Sequence, residues 1–252
     1  MEPIIQPHGD YQILESYQKS VIVFDMTNEF CARFLKKGDR TVDQMVQAAR
    51  SGKQNIVEGC MASGISAETE IKLTGVARAS LEELLEDYRD YLRTHALSLW
   101  EKDDKRALAV RRLAKRKDKS YETYKSYEAY MAYVAQAGGE AEVFCNVMVS
   151  LIHQTNFLLD RRLKSLERSF VQKGGLRERM YRARVQGRNA QAQQESRRAL
   201  KALRELYRDI RDTELSDEVK SALLEKVESV ATVLKGVEPS NNGKSPSPEV
   251  KP

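Results

Sequence analysis

Helix breakers are scarce in this chain. It has 6 prolines and 13 glycines among 252 residues, and four of the prolines, Pro239, Pro246, Pro248 and Pro252, fall in the last segment. Pro and Gly cost a helix interior about 3 and 1 kcal/mol relative to Ala, so the long stretch before that segment reads as long helices. There are 3 cysteines, Cys31, Cys60 and Cys145, an odd number and far apart, with no C-x-x-C pair. That excludes a zinc ribbon and a redox dithiol, and suits a reducing compartment. No apolar run approaches the ~20 residues of a membrane span. The opening residues lack a basic, then apolar, leader pattern, and a cytoplasmic location is expected.

Catalytic signatures are equally sparse. The 3 histidines, His8, His95 and His153, are preceded three residues earlier by Ile5, Leu92 and Ser150. The Glu-x-x-His motif of a di-metal helical bundle is therefore missing. His153 lies beside the apolar face of its helix and is expected to be a hydrogen-bonded buried or interface histidine. Gly52-Lys53 is no P-loop, because Gln47 stands where the first glycine should be. Neither G-x-S-x-G nor G-x-G-x-x-G occurs. Glu58, Glu82, Glu83 and Glu86 are expected to pair with Arg50 or Arg78 or to sit at turns. The expectation is a non-enzymatic protein with no catalytic residue, metal or cofactor.

Charge is abundant and segregated. Residues 1–104 carry 12 Lys and Arg against 18 Asp and Glu, residues 105–211 carry 25 against 11, and residues 212–252 carry 5 against 8. A middle third of net +14 between acidic ends suggests a polyanion-binding surface.

Periodicity organises the chain into helices. Asp10 caps a first helix to about Lys37, with Ile13, Leu14, Tyr17, Val21, Phe24, Phe30, Phe34 and Leu35 on its apolar side. Thr41 and Gln44 form a capping box for a second helix to about Cys60, in which Gly52 suggests a close helix contact. Ser66 caps a third, to about Trp100. Residues 101–137 read as a charged helical insertion, carrying Tyr121, Tyr124, Tyr127, Tyr130 and Tyr133 in steps of three. These tyrosines are expected chiefly to pack that insertion on the bundle. A fourth long helix runs from Gly138-Gly139 to Gly174-Gly175. A basic segment over 176–189 precedes two shorter amphipathic patterns, and residues 237–252 are expected to be disordered.

At the second helix the residues become specific. Gln47-Ala48-Ala49-Arg50-Ser51-Gly52-Lys53-Gln54-Asn55-Ile56-Val57-Glu58-Gly59 resembles the R-A-A-x-S-I-P-A-N-I-A-E-G signature of a four-helix-bundle family. That family includes the protein encoded in intervening sequences of bacterial large-subunit ribosomal RNA. Ala48, Ala49, Ser51, Asn55, Ile56, Glu58 and Gly59 match in place, and Gln47, Gly52 and Lys53 depart. Ala77 to Leu84, with Ser80, Leu81 and Glu83, is similar to the family's A-x-G-S-L-x-E-L stretch. The part after the fourth helix resembles a longer subfamily with a four-helix-bundle suffix domain. The resemblance implies an all-α, antiparallel four-helix bundle over 11–173, a basic helical suffix over 174–236 and a tail over 237–252. It also implies a homo-oligomeric ring, pentameric in the best-known branch. A retroelement accessory branch binds nucleic acid and a reverse transcriptase, so both are implied partners.

The residues expected to touch phosphates are Arg111, Arg112, Lys115, Arg116 and Lys117 in the insertion, Arg161, Lys164 and Arg168 on the fourth helix, and Arg177, Arg179, Arg182, Arg184 and Arg188 beyond it. Arg dominates the set, as bidentate phosphate contact favours. The expected function is a nucleic-acid-binding scaffold, with RNA preferred. The alternative is a protein-interaction scaffold that docks a partner through amphipathic helices within 196–235.

Overall fold

The computed structural model describes residues 5–113, 121–135 and 139–236. Those residues are all-helical: a 3-10 turn Tyr11–Ile13, then α1 (Glu15–Phe34), α2 (Arg40–Ala62), α3 (Ala67–Thr94), α4 (Lys105–Leu113), α5 (Tyr121–Ala135), α6 (Glu140–Lys173), α7 (Leu176–Asp212) and α8 (Asp217–Gly236). They fall into two compact units that meet between Glu178 and Arg179.

The first unit is an antiparallel four-helix bundle. Its helices α1, α2, α3 and α6 close a ring of neighbours, each packed on the next. Short connections set the alternating directions. The α3–α6 pairs run in opposite order, Arg78 to Asp160 and Arg89 to His153. At one end Phe30 gathers Tyr88, Tyr91, Phe34 and Phe144 around it, with ring centroids 5.0–5.5 Å away. The insertion helices α4 and α5 pack on α6. They add Ala107, Val110, Tyr127 and Met131 to the core, which is why residues 143–149 of α6 are buried all round. Tyr130 donates to the Arg106 carbonyl at 2.9 Å, so the two tyrosines with described side chains pack the insertion, Tyr127 wholly and Tyr130 partly. The side chains of Tyr121, Tyr124 and Tyr133 lie outside the described residues, as do residues 237–252.

The closest approach is between α2 and α3. Ala48, Ala49, Gly52, Ile56 and Gly59 are buried along one face of α2. A Cβ on Gly52 would lie 2.7 Å from Leu81 Cγ, and one on Gly59 would lie 3.3 Å from Leu73 Cβ. The missing side chains are the holes into which α3 fits. Beside them the Ser51 and Ser80 hydroxyls hydrogen-bond at 2.9 Å, and Asn55 Nδ2 donates to the Ser51 carbonyl and hydroxyl. Glu58 and Glu83 are exposed.

Four sequence expectations change. The α2 N-cap is Asp39, whose carboxylate accepts from the Thr41 N–H at 2.9 Å, so Thr41 lies inside the helix and no capping box forms. The α1 core face is rotated. Ile22, Val23 and Met26 are buried with Ser16, Ser20 and Thr27, whereas Ile13 is 64% exposed. Hydroxyls can occupy that face because Ser20 and Thr27 donate to helix carbonyls at 2.7 Å. Phe24 sits at its edge under Lys53 Nζ, 4.1 Å from the ring centre. Helix α3 stops at Thr94, not Trp100. Ala96 takes a left-handed φ of 54°, and the Ala96 and Leu97 amides donate to the Arg93 and Leu92 carbonyls, a Schellman close. Asn146 then pins the following strand-like stretch, accepting from the Trp100 amide and donating to the Ser98 carbonyl. Finally, 176–212 is one continuous helix, because no proline and only Gly187 interrupts it.

The α2–α3 seam predicts opposite effects at two glycines. Gly52→Ala is expected to destabilise by about 1–3 kcal/mol through overpacking against the fully buried Leu81. Gly75→Ala, whose Cβ would meet nothing, is expected to stabilise by up to about 1 kcal/mol. Urea melts of the two variants measure both.

Candidate nucleic-acid interface

Helix α6 changes character along its length. Its first part is sheathed by the bundle and the insertion, but from His153 onward one face is open. His153, Phe157, Arg161, Lys164, Arg168 and Val171 follow at three- and four-residue steps, and all six are exposed. Phe157 is 62% exposed, an uncommon position for a bare aromatic ring, and the Arg161 guanidinium lies 6.0 Å from its centre. From His153 to Arg168 the stripe spans about 22 Å.

Neighbouring elements extend it at the His153 end. Arg89 of α3 approaches His153 Nε2 with Nη2 at 3.2 Å. Arg111 of α4 lies near enough to repel the protonated ring. Partial burial, then Arg89, holds the His153 pKa below the ordinary imidazole value, so the ring is neutral at pH 7 and takes its charge only at lower pH than a free imidazole.

The other cations divide by environment. Arg162, one residue from Arg161, points inward and binds the buried Glu70 carboxylate. Burial nevertheless raises the Glu70 pKa, with Arg162 only partly opposing it. Here the attraction does not repay desolvation, as is common for buried pairs. Arg78 pairs with Asp160 at 2.6 Å and reaches Glu82 at 3.8 Å, and Glu86 holds Arg89 at 2.6 Å. Arg106 is tied to Asp104 at 2.8 Å and stacks over Trp100. Arg111 donates to the Lys102 carbonyl while Arg112 stays exposed. Lys115, Arg116 and Lys117 lie outside the described residues.

On α7, Arg177 belongs to the first unit and is exposed, and Arg184 and Arg188 of the second unit share one exposed face at a step of four. Arg182 is exposed on another side. Arg179 is half-buried, with an Nε that lacks a hydrogen-bond partner. The structure thus joins Arg111 to the Arg161, Lys164 and Arg168 stripe, and groups Arg184 with Arg188 in the second unit.

Sequence reading missed Phe157, Arg89 and the contribution of His153. Their signal was available only through the α6 wheel, on which Phe157 falls opposite the buried Leu159 rather than among the leucines. His153 is hydrogen-bonded as expected, at the surface rather than inside.

All three cysteines are buried and free. Burial pushes the Cys31 thiol up to about 11 and Cys145 higher still. Among the described residues no cluster of His, Cys, Asp and Glu could hold a metal ion, and no helix is long and apolar enough to cross a membrane. No family model, curated protein or solved structure matches the chain.

The division between inward and outward arginines is measurable. Arg162→Leu is expected to cost about 3 kcal/mol at pH 7, because it strands a buried carboxylate. The loss shrinks as pH falls and Glu70 takes a proton. Arg161→Ala and Arg168→Ala are expected to shift stability by less than about 0.5 kcal/mol. Urea unfolding at pH 7 and pH 5 checks all three.

Proposed function

We propose that this chain is a non-enzymatic nucleic-acid-binding scaffold that grips single-stranded RNA along the open face of α6 in the cytoplasm. One observation carries the reading: the exposed His153 and Phe157 rings continue directly into Arg161, Lys164 and Arg168 on a single helix face. Arginine and lysine neutralise phosphates and release counterions. The rings offer stacking surfaces that unpaired bases can use and a duplex cannot, worth ~1–3 kcal/mol per base. That favours RNA with splayed bases over double-stranded DNA. The groups are carried on a helix, so the spacing of contacts is fixed before binding.

The likeness of α2 and α3 to the ribosomal intervening-sequence and retroelement-accessory bundles supports the same reading. It extends it to a homo-oligomeric ring, pentameric in the best-known branch, with a reverse transcriptase as protein partner. A ring would repeat the stripe and raise avidity without new contacts.

Fluorescence anisotropy with a labelled single-stranded RNA and a duplex DNA, across a salt series, tests it. RNA is expected to bind more tightly, with log K falling by ~0.7 per contacted phosphate for each unit of log salt. Arg161→Glu with Arg168→Glu is expected to reduce the slope by more than one. Phe157→Ala should weaken RNA binding about tenfold while leaving the slope unchanged. Absence of binding at low salt would overturn the reading.

A pH series supplies a second test. Because the free-protein pKa of His153 is lowered, its cation forms only as pH drops below the usual imidazole range, and a bound polyanion favours that cation. Affinity is expected to rise severalfold from pH 7.5 to 5.5 in wild type, and the part of that rise due to this ring is lost in His153→Gln.

A further inference from the structure

The seam between α3 and α6 changes along its length. Over most of it, polar pairs bridge the two helices: Arg89 with His153, Glu82 with Asn156 and Arg78 with Asp160. The next positions along the same α3 row are Gly75 and Ile71. Gly75 has no side chain to continue the bridging, and a Cβ there would meet nothing within 4 Å. Beyond the last pair the seam opens into a groove of about 540 Å³, lined by Ile71, Asp160, Leu163, Lys164, Glu167 and Phe170. That volume lies in the ~300–1,000 Å³ range of small-ligand sites.

The groove has an apolar floor and a charged rim, the usual composition of a site that orients a flat, polar-edged ligand. Ile71, Leu163 and Phe170 make the floor, and all three are half-buried. The Phe170 ring is backed by Gly175, where a Cβ would lie 3.5 Å from its Cε2. On the rim, Asp160 is already taken by Arg78 at 2.6 Å. Lys164 and Glu167 are exposed, and neither side chain pairs with another described residue.

Position and charge select the occupant. Lys164 belongs both to this rim and to the basic stripe, on whose α3 side the groove lies. Lys164 and Glu167 are separated by about 4.5 Å along the helix axis, within reach of one nucleotide. The Glu167 carboxylate repels phosphate, so a strand held by Arg161, Lys164 and Arg168 keeps its backbone on the stripe. What can turn across Lys164 into the groove is an uncharged base, stacking on Phe170. A carboxylate only accepts hydrogen bonds. The Watson–Crick edge of guanine offers it two adjacent donors, N1–H and the N2 amine. Adenine and cytosine set a ring-nitrogen acceptor beside their amine, and uracil flanks its single N–H with two carbonyls.

We propose, building on the nucleic-acid reading, that the α3–α6 groove is a guanine pocket: one unpaired guanine of an RNA bound along α6 stacks on Phe170 and donates two hydrogen bonds to Glu167.

Fluorescence anisotropy with the full chain and labelled RNA decamers tests it. One decamer is all uridine, and the others carry a single central guanosine, adenosine, cytidine or inosine. The guanosine decamer is expected to bind at least fivefold more tightly than the uridine, adenosine and cytidine ones, as a bidentate base contact implies. Inosine, which keeps N1–H and lacks the N2 amine, is expected to fall between. Glu167→Gln replaces one acceptor by a donor and should bring the guanine-to-uracil ratio to within about twofold of one. Gly75→Leu, which fills the groove, should do the same. A ratio of affinities does not depend on the fraction of protein folded, and far-UV circular dichroism checks both variants. A guanine preference that survives either substitution would overturn the proposal. So would equal binding of all five decamers. If that equal binding is still lost in Arg161→Glu with Arg168→Glu, the groove assignment fails while the basic stripe stands. No binding of any decamer at low salt would overturn both.

Discussion

The rest of the first unit depends on how near α3 can come to α2. Helices that carry large side chains at their contact hold their axes 8–10 Å apart. Here Gly52, Gly59, Ala48 and Ala49 remove that bulk, and Leu81 fills the hollow at Gly52. The Ser51–Ser80 hydrogen bond fixes the sliding register. With α3 seated at that depth and register, its other flank presents Glu70, Arg78, Glu82 and Arg89 in a row. That row meets Arg162, Asp160, Asn156 and His153 of α6. The rotation of α6 about its axis is thus set by polar pairs whose positions trace back to two glycines on α2.

That rotation decides which cations are structural and which are free for work. Arg161 and Arg162 are adjacent in sequence but ~100° apart on the helix. One is held against a buried carboxylate, and the other stands beside an exposed ring. The insertion makes the second decision. By covering the outer side of α6 up to Ile152, it consumes the apolar face that residues 143–152 present in all directions. It delivers Arg111 to the point where the cover ends. An open stripe beginning at His153 follows from both.

Much of this was legible before the structure. The four long helices, the Ser66 cap and the buried small residues of α2 follow from spacing and residue type, as does the suspicion that Gly52 marks a close contact. What was not legible has physical reasons. The α1 face misled because hydrophobicity ranks Ser16, Ser20 and Thr27 as surface residues, while the Ser20 and Thr27 hydroxyls are satisfied by their own helix. The end of α3 was hidden because Ala96, a strong helix former, adopts the left-handed turn that glycine usually marks. Helix α7 was broken too early because a run of arginines interrupts the apolar period without breaking the backbone. The sorting of Arg161 from Arg162 needed the partner helix.

Charge counting overstates what the C-terminal half offers a polyanion. Helix α7 carries 11 Lys and Arg against 5 Asp and Glu, which by itself resembles a phosphate-binding helix. In its second half, however, Lys201 already bridges Glu205 at 3.8 Å. On α6, by contrast, Arg161, Lys164 and Arg168 are exposed and lie on one face with two rings. Segregation of charge along the sequence therefore resolves into two different surfaces: an open basic and aromatic stripe on α6 in the first unit, and an exposed arginine-rich helix in the second.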